Sequence, residues 1–138
     1  MILDDIIYYL SGAAIGLTSG TNLFASVMPD APDRACGVYE AGGYSPIHAM
    51  SGSAGSALVE RPRVQVITRA GNYQAARQLA QNVFQSLDGL TNAVINNTNY
   101  LLLSAVASPA AMGLDSTGRH RIVINFDVIK KVSTSTST

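Results

Sequence analysis

The chain has 138 residues, enough for one domain whose core needs neither disulfides nor metals. Apolar residues make up 47%, a normal globular share, but charged residues make up only 13%, about half the usual fraction, and the 9 basic and 9 acidic side chains cancel. Zero net charge argues against a dedicated nucleic-acid binder, the single Cys36 excludes an intramolecular disulfide framework, and His48 and His120, far apart in sequence, argue against a zinc site.

A soluble monomer normally covers its surface with charge, so a surface this neutral is expected to be covered in part by other subunits. The apolar run at 100–106 is too short to span a bilayer. Asp4 and Asp5 stand where the basic region of a signal peptide would precede its apolar stretch, so no signal peptide and no membrane are expected, and folding in a reducing cytoplasm is.

Taken in order, Ile2, Leu3, Ile6, Ile7 and Leu10 line one side of a first helix, with Asp4 and Asp5 favourable near its N-terminus and Ser11 and Gly12 at its end. Residues 18–21 read as a turn. Residues 22–28 read as a strand, 29–32 (PDAP) as a tight turn, and 35–40 as a second strand paired with the first in a hairpin. From 41 to 58 glycines sit among serines and alanines with almost no charge, and a long loop is expected there, mobile alone and ordered by neighbours.

Residues 60–89 organise the rest of the chain. Val64 and Val66 alternate with Arg63 and Gln65, the period of a half-buried strand, and Gly71 breaks it. Asn72 occupies a helix N-cap position, Ala76, Leu79, Ala80, Val83 and Leu87 form one apolar stripe, and Gly89 suits a left-handed stop. Residues 91–95 and 98–106 then read as a hairpin turning at Asn96-Asn97. Residues 108–115 read as a connector containing Pro109 and Gly113. In the last strand, 119–132, Ile122, Ile124, Phe126 and Val128 point one way and Val123, Asn125 and Asp127 the other. The tail 133–138, STSTST, reads as disordered polar sequence. The sum is an α+β domain over 1–132, with two helices against a mainly antiparallel sheet of about five or six strands.

No catalytic or cofactor-binding constellation emerges. Asp4 and Asp5 are adjacent on a helix and diverge, which suits a dipole role better than paired acid–base work. His120 is in phase with Ile122 and reads as a partly buried structural residue, His48 has no Cys or Asp placed for a triad, and Cys36 reads as a small buried hydrophobe. Gly42-Gly43 and Gly52-x-x-Gly55 lack the Lys-Ser/Thr of a phosphate loop. Asn96-Asn97-Thr98 matches a glycosylation sequon that a cytoplasmic chain would not present to that machinery.

Arg61, Arg63 and Arg69 are the least bland group, since Arg63 and Arg69 share the polar face of one strand in a chain that carries few charges elsewhere. They are candidates for one patch of a contact between subunits. Asp115 and Asp127 are candidates for the complementary patch, and Gly42, Gly43 and His48 of the 41–58 stretch are further interface candidates.

The early helix LDDIIYYL, followed by LFASVMPDAPD, VYEAGG, ERPRVQVITRAGNYQAARQLAQNVFQSLDG and SPAAMGLDSTGRHRIVINFDV, resembles the tail terminator (tail completion, or minor capsid) proteins of long-tailed phages, in order over residues 3–128. The resemblance implies an α+β fold and a homo-oligomeric ring of six copies on the tail-tube protein. It also implies a head-completion protein above, DNA passing through without sequence recognition, no enzymatic activity, and assembly into a virion in the bacterial host cytoplasm. A neighbouring neck or tail-tube protein is an alternative. A small ligand-binding or enzyme domain is a further one, and would need a pocket with convergent polar groups near His120 or the 41–58 stretch.

Overall fold

In the computed structural model, which describes residues 2–48 and 57–131, the helix anticipated after Asn72 is α2, Tyr73–Leu87. The Asn72 side chain accepts a hydrogen bond from the Ala75 amide at 2.8 Å, satisfying one of the otherwise orphaned donors of the first turn. Ala76, Leu79, Ala80, Val83 and Leu87 are all buried. Alanine at 76 and 80 lets the helix backbone approach the sheet, and each buried leucine contributes roughly 1.5–3 kcal/mol. After the helix, Gly89 takes φ +80°, the left-handed stop its sequence position suggested.

The sheet beneath α2 is built on β3 (Ala57–Ala70) and β7 (His120–Lys131), which pair antiparallel with Val64 opposite Phe126, Val66 opposite Ile124 and Thr68 opposite Ile122. These six are buried, and the Thr68 hydroxyl donates to the Ala76 carbonyl of α2 at 3.2 Å, so this is the helix-covered face. The alternate residues, Arg63 opposite Asp127 and Gln65 opposite Asn125, form a second face, which among the described residues carries no helix. α1 (Ile2–Ser11) lies on the same side as α2, and its buried Ile2, Leu3, Ile6, Ile7 and Leu10 join one core with Cys36, Val38 and the stripe of α2.

The strand order is β1-β2-β3-β7-β5-β4, with β6 pairing on β7. β1 is Leu23–Ala25, β2 Ala35–His48, β4 Leu90–Ile95, β5 Thr98–Ala105 and β6 Ala110–Leu114. β4 and β5 form the hairpin expected at Asn96-Asn97, which hold φ of 49° and 66°, the positive values a tight two-residue turn demands. The fold is α+β as anticipated, and among the described residues seven strands form a mainly antiparallel sheet, mixed through the parallel pair β1–β2.

Three local expectations are corrected. β1 and β2 are not a hairpin but a parallel pair, Leu23 opposite Cys36 and Val38 opposite Ala25. β1 ends at Ser26, where φ is 65°, and the chain returns across the helix-free face through 26–34 before starting β2 at the same end. The stretch 41–58 is not a loop throughout: β2 continues to His48 and β3 begins at Ala57, while the expectation for 49–56 and for the 133–138 tail lies outside the described residues. The strands carry on because the ladder absorbs its irregularity in a bulge: Gly42 and Gly43 together face Pro62, which has no amide to donate. A Cβ on Gly43 would collide with the Arg61 carbonyl oxygen, so only glycine fits there. Finally, the connector at 108–115 contains β6, which pairs with the first half of β7 and keeps all five residues exposed.

Candidate interaction surfaces

The residues singled out by sequence fall into two groups. Arg63 donates to Asp127 at 2.8 Å across β3 and β7, and both side chains are about one-third exposed on the helix-free face. Beside them Gln65 donates to Asn125 at 3.3 Å. The two partners expected on different patches of a contact thus meet within one subunit. Lys130 likewise reaches Glu60 at 3.4 Å.

Arg69 is in phase with Arg63, but its reading as an exposed contact residue is corrected. It is 4% exposed, because residues 29–33 fold over it. Its guanidinium donates to the carbonyls of Pro29 at 2.7 Å, Pro32 at 2.6 Å and Asp33 at 3.2 Å. Asp115 is also engaged internally. It accepts from the Arg119 side chain at 2.8 Å, from the Arg119 and Thr117 amides, and from the Thr117 hydroxyl. These bonds, the Arg119 amide first, hold its carboxyl well below the usual carboxylate range. Arg119 completes the assembly by reaching the Asp30 carboxylate at 2.8 Å, the Asp30 carbonyl and Asp33 at 3.4 Å. Burial works against its charge, yet Asp30 and Asp115 outweigh that and hold its pKa up.

Two arginines from the ends of β3 and β7 therefore clamp the 29–33 loop. The sequence did not single out Arg119, Asp30 or Asp33. The signal was there only as two acidic residues in PDAPD and three basic ones in RHR, nearly ninety positions apart, and no local period links them.

Gly42 and Gly43 lie in the bulge of β2, and His48 is its last residue, so they are strand positions rather than loop residues. His120 meets Tyr73 edge-to-face at 6.0 Å between ring centroids. Cys36 is fully buried, and burial pushes its thiol up to about 12, against the lowering effect of Arg34, which suits a hydrophobe and not a nucleophile. Asp5 does more than meet a helix dipole: buried in α1, it accepts from the Tyr100 hydroxyl and from Asn96 at 3.0 Å, tying the helix to β5 and its turn. Burial first, and then Asp5, raise the Tyr100 pKa.

A different surface comes from what lacks charge. No charged residue occurs between Asp5 and Asp30, nor between Asp88 and Asp115. Every charged residue within a strand lies on β2, β3 or β7, and the edge elements β1, β4 and β6, with β5, have none. Most of the exposed large apolar side chains follow the same division, Tyr73 at the start of α2 being the exception. Val27 is 66% exposed just after β1, and Tyr8 and Val94, 65% and 68% exposed, flank the α1–β4 side. Met112 and Leu114 stand on β6, and Val106 lies between β5 and β6. Two adjoining hollows of about 560 and 450 Å³ share Tyr8 and Tyr9, one formed with the end of α1 and the other with β4 and its turn. Among the described residues no group of three or more His, Cys, Asp or Glu is placed to hold a metal, and no helix is long and apolar enough to cross a membrane.

Residues 9–132 match the family model for the bacteriophage tail terminator protein. The chain belongs to that family. It is a structural protein of the phage tail. A chain of the virion of a native gene transfer agent particle has a similar fold, with TM-score 0.52 at 19% identity, covering 82% of this chain and 81% of that one. A second solved chain matches with TM-score 0.57 at 15% identity, covering 96% and 94%. At such identities the likeness is one of fold. A comparison with curated proteins finds no match.

Proposed function

We propose that the protein is the tail terminator itself: a non-enzymatic ring, of six copies, that caps the tail tube and joins it to the head-completion proteins, with DNA passing through unread. Family membership supports the role, and the observation that carries the ring is the distribution of charge. Most of the exposed apolar side chains stand on or beside the charge-free strands β1, β4 and β6, while the ionic side chains of the middle strands are largely paired within the chain. Zero net charge lets several copies meet without accumulating repulsion. The helix-free face, with Arg61, the Arg63–Asp127 pair and the Gln65–Asn125 pair, is in this reading a register-setting surface rather than a source of affinity, since part-exposed ion pairs contribute about 0–1 kcal/mol each. In the same reading Gly42, Gly43 and His48 lie on an arm that neighbours touch.

The test uses tail tubes assembled without the protein. Adding the purified chain is expected to place a ring at one end of each tube and to render the tails competent to join heads. Tubes that remain uncapped and unjoined at saturating protein would remove this reading.

A further inference from the structure

α1 packs against β1 and β2 at one end of the strand order and against β4 at the other, so this one helix reaches both ends of the sheet. Its two attachments differ in kind. The apolar one is closed: Ile6 and Leu10 share one core with Leu23, Cys36 and Val38, and none of the five is exposed. Toward β4 the packing is incomplete, with a hollow of about 450 Å³ between Tyr8 and Tyr9 of α1 and residues 93–97. What spans that side is polar. Asp5, 2% exposed, accepts from the Tyr100 hydroxyl of β5 and, at 3.0 Å, from the Asn96 side chain in the β4–β5 turn. We propose that these two hydrogen bonds form a latch: while they hold, α1 is closed over β4, and when they are lost the β4–β5 hairpin parts from α1 while α1 stays seated on β1 and β2.

Three observations support the latch. A carboxylate buried this deeply needs donors, and among the described residues both side-chain donors to Asp5 come from the β4–β5 hairpin, so its solvation inside the protein depends on that hairpin staying in place. The hollow that Asn96 borders gives water a way in once a donor is withdrawn, so Asp5 can exchange its protein partners for solvent on this side alone. The apolar stripe of α1 is non-directional and survives the loss of a polar partner, whereas the two hydrogen bonds are directional and each fails with one substitution. Asn96 serves both the turn, where it holds φ 49°, and the latch, so the hairpin tip and the helix are fastened by one side chain. The latch belongs to the single chain and holds whether or not copies assemble.

The experiment is site-resolved thiol labelling of the purified chain. Ile95→Cys places a thiol on β4 at a position 4% exposed beside the hollow, and the native Cys36, fully buried on β2, is the internal reference. In this background Asn96→Gly removes one donor and keeps the positive φ of the turn, Tyr100→Phe removes the other, and Asp5→Asn keeps one acceptor oxygen. Each variant is treated with iodoacetamide, and the two thiols are followed separately by mass spectrometry. Asn96→Gly and Tyr100→Phe are each expected to speed labelling at position 95 at least about tenfold while the Cys36 rate stays as it was, and Asp5→Asn to speed it less. Should Tyr100→Phe fail to fold, Asn96→Gly, at an exposed turn position, is read by itself. Equal acceleration at both thiols would show that the two bonds serve overall stability only, and no acceleration at either would show that packing alone holds β4 against α1. Either result would overturn the latch.

Discussion

In the middle of the sheet, β3 and β7 carry arginines, lysines and acids that face one another: Arg63 with Asp127, Lys130 with Glu60, and Arg119 with Asp30, Asp33 and Asp115. At its edges, β1, β4 and β6 carry no charge, and large apolar side chains stand open beside them. A monomeric sheet protein arranges these the other way, with charge on the edges to refuse partners and apolar residues in the central strands. Here the charges close the molecule on itself, and the edges carry none. If that division holds, substitutions in the middle and in the core change stability, and substitutions at the edges change assembly alone.

The largest loss is expected in the core. Leu79→Ala or Leu87→Ala, each on the buried face of α2, should cost about 2–5 kcal/mol, read as a lower denaturant midpoint of the purified chain. Next comes the clamp. Arg119→Ala removes the partner of Asp115 and frees the 29–33 loop, for an expected loss of about 2–3 kcal/mol and faster hydrogen exchange at residues 29–34. The clamp also has a pH signature. The Asp115 pKa is depressed in the fold, so its contribution is complete above the ordinary carboxylate value of about 3.9 and is lost as pH falls below it. Denaturation midpoints followed downward through that range should fall less steeply for Asp115→Asn than for the wild type. At the bottom of the scale, Val27→Asp and Val94→Asp should change monomer stability by no more than about 0.5 kcal/mol, yet weaken assembly. An edge substitution that unfolded the monomer would blur the division between middle and edge.

What the residues disclosed in advance follows the range of the interactions involved. α2 was legible because its cap, stripe and stop all lie within one local stretch, Asn72 to Gly89. The alternation of β7 and the Asn96-Asn97 turn were legible for the same reason. The parallel pairing of β1 with β2 was not, since the residues 22–40 fit a hairpin equally well and the choice depends on Arg69 and Arg119, distant in sequence, holding the return loop. β6 was hidden because its pairing energy comes from β7, and its own residues, Ala110 to Leu114, show no alternation to read. Of the candidate contact residues, the polar face at Arg63 and Asp127 was found, but that its charges pair within one subunit depends on register, which sequence alone did not supply.

The most direct test of the division is hydrogen exchange of the free chain against the ring on tail tubes. The account predicts new protection at residues 23–29 and 91–97, with little change along β3 and β7, whose amides are already paired within the monomer. New protection confined to the Arg63–Asp127 face, with both edges exchanging as fast as in the free chain, would contradict it.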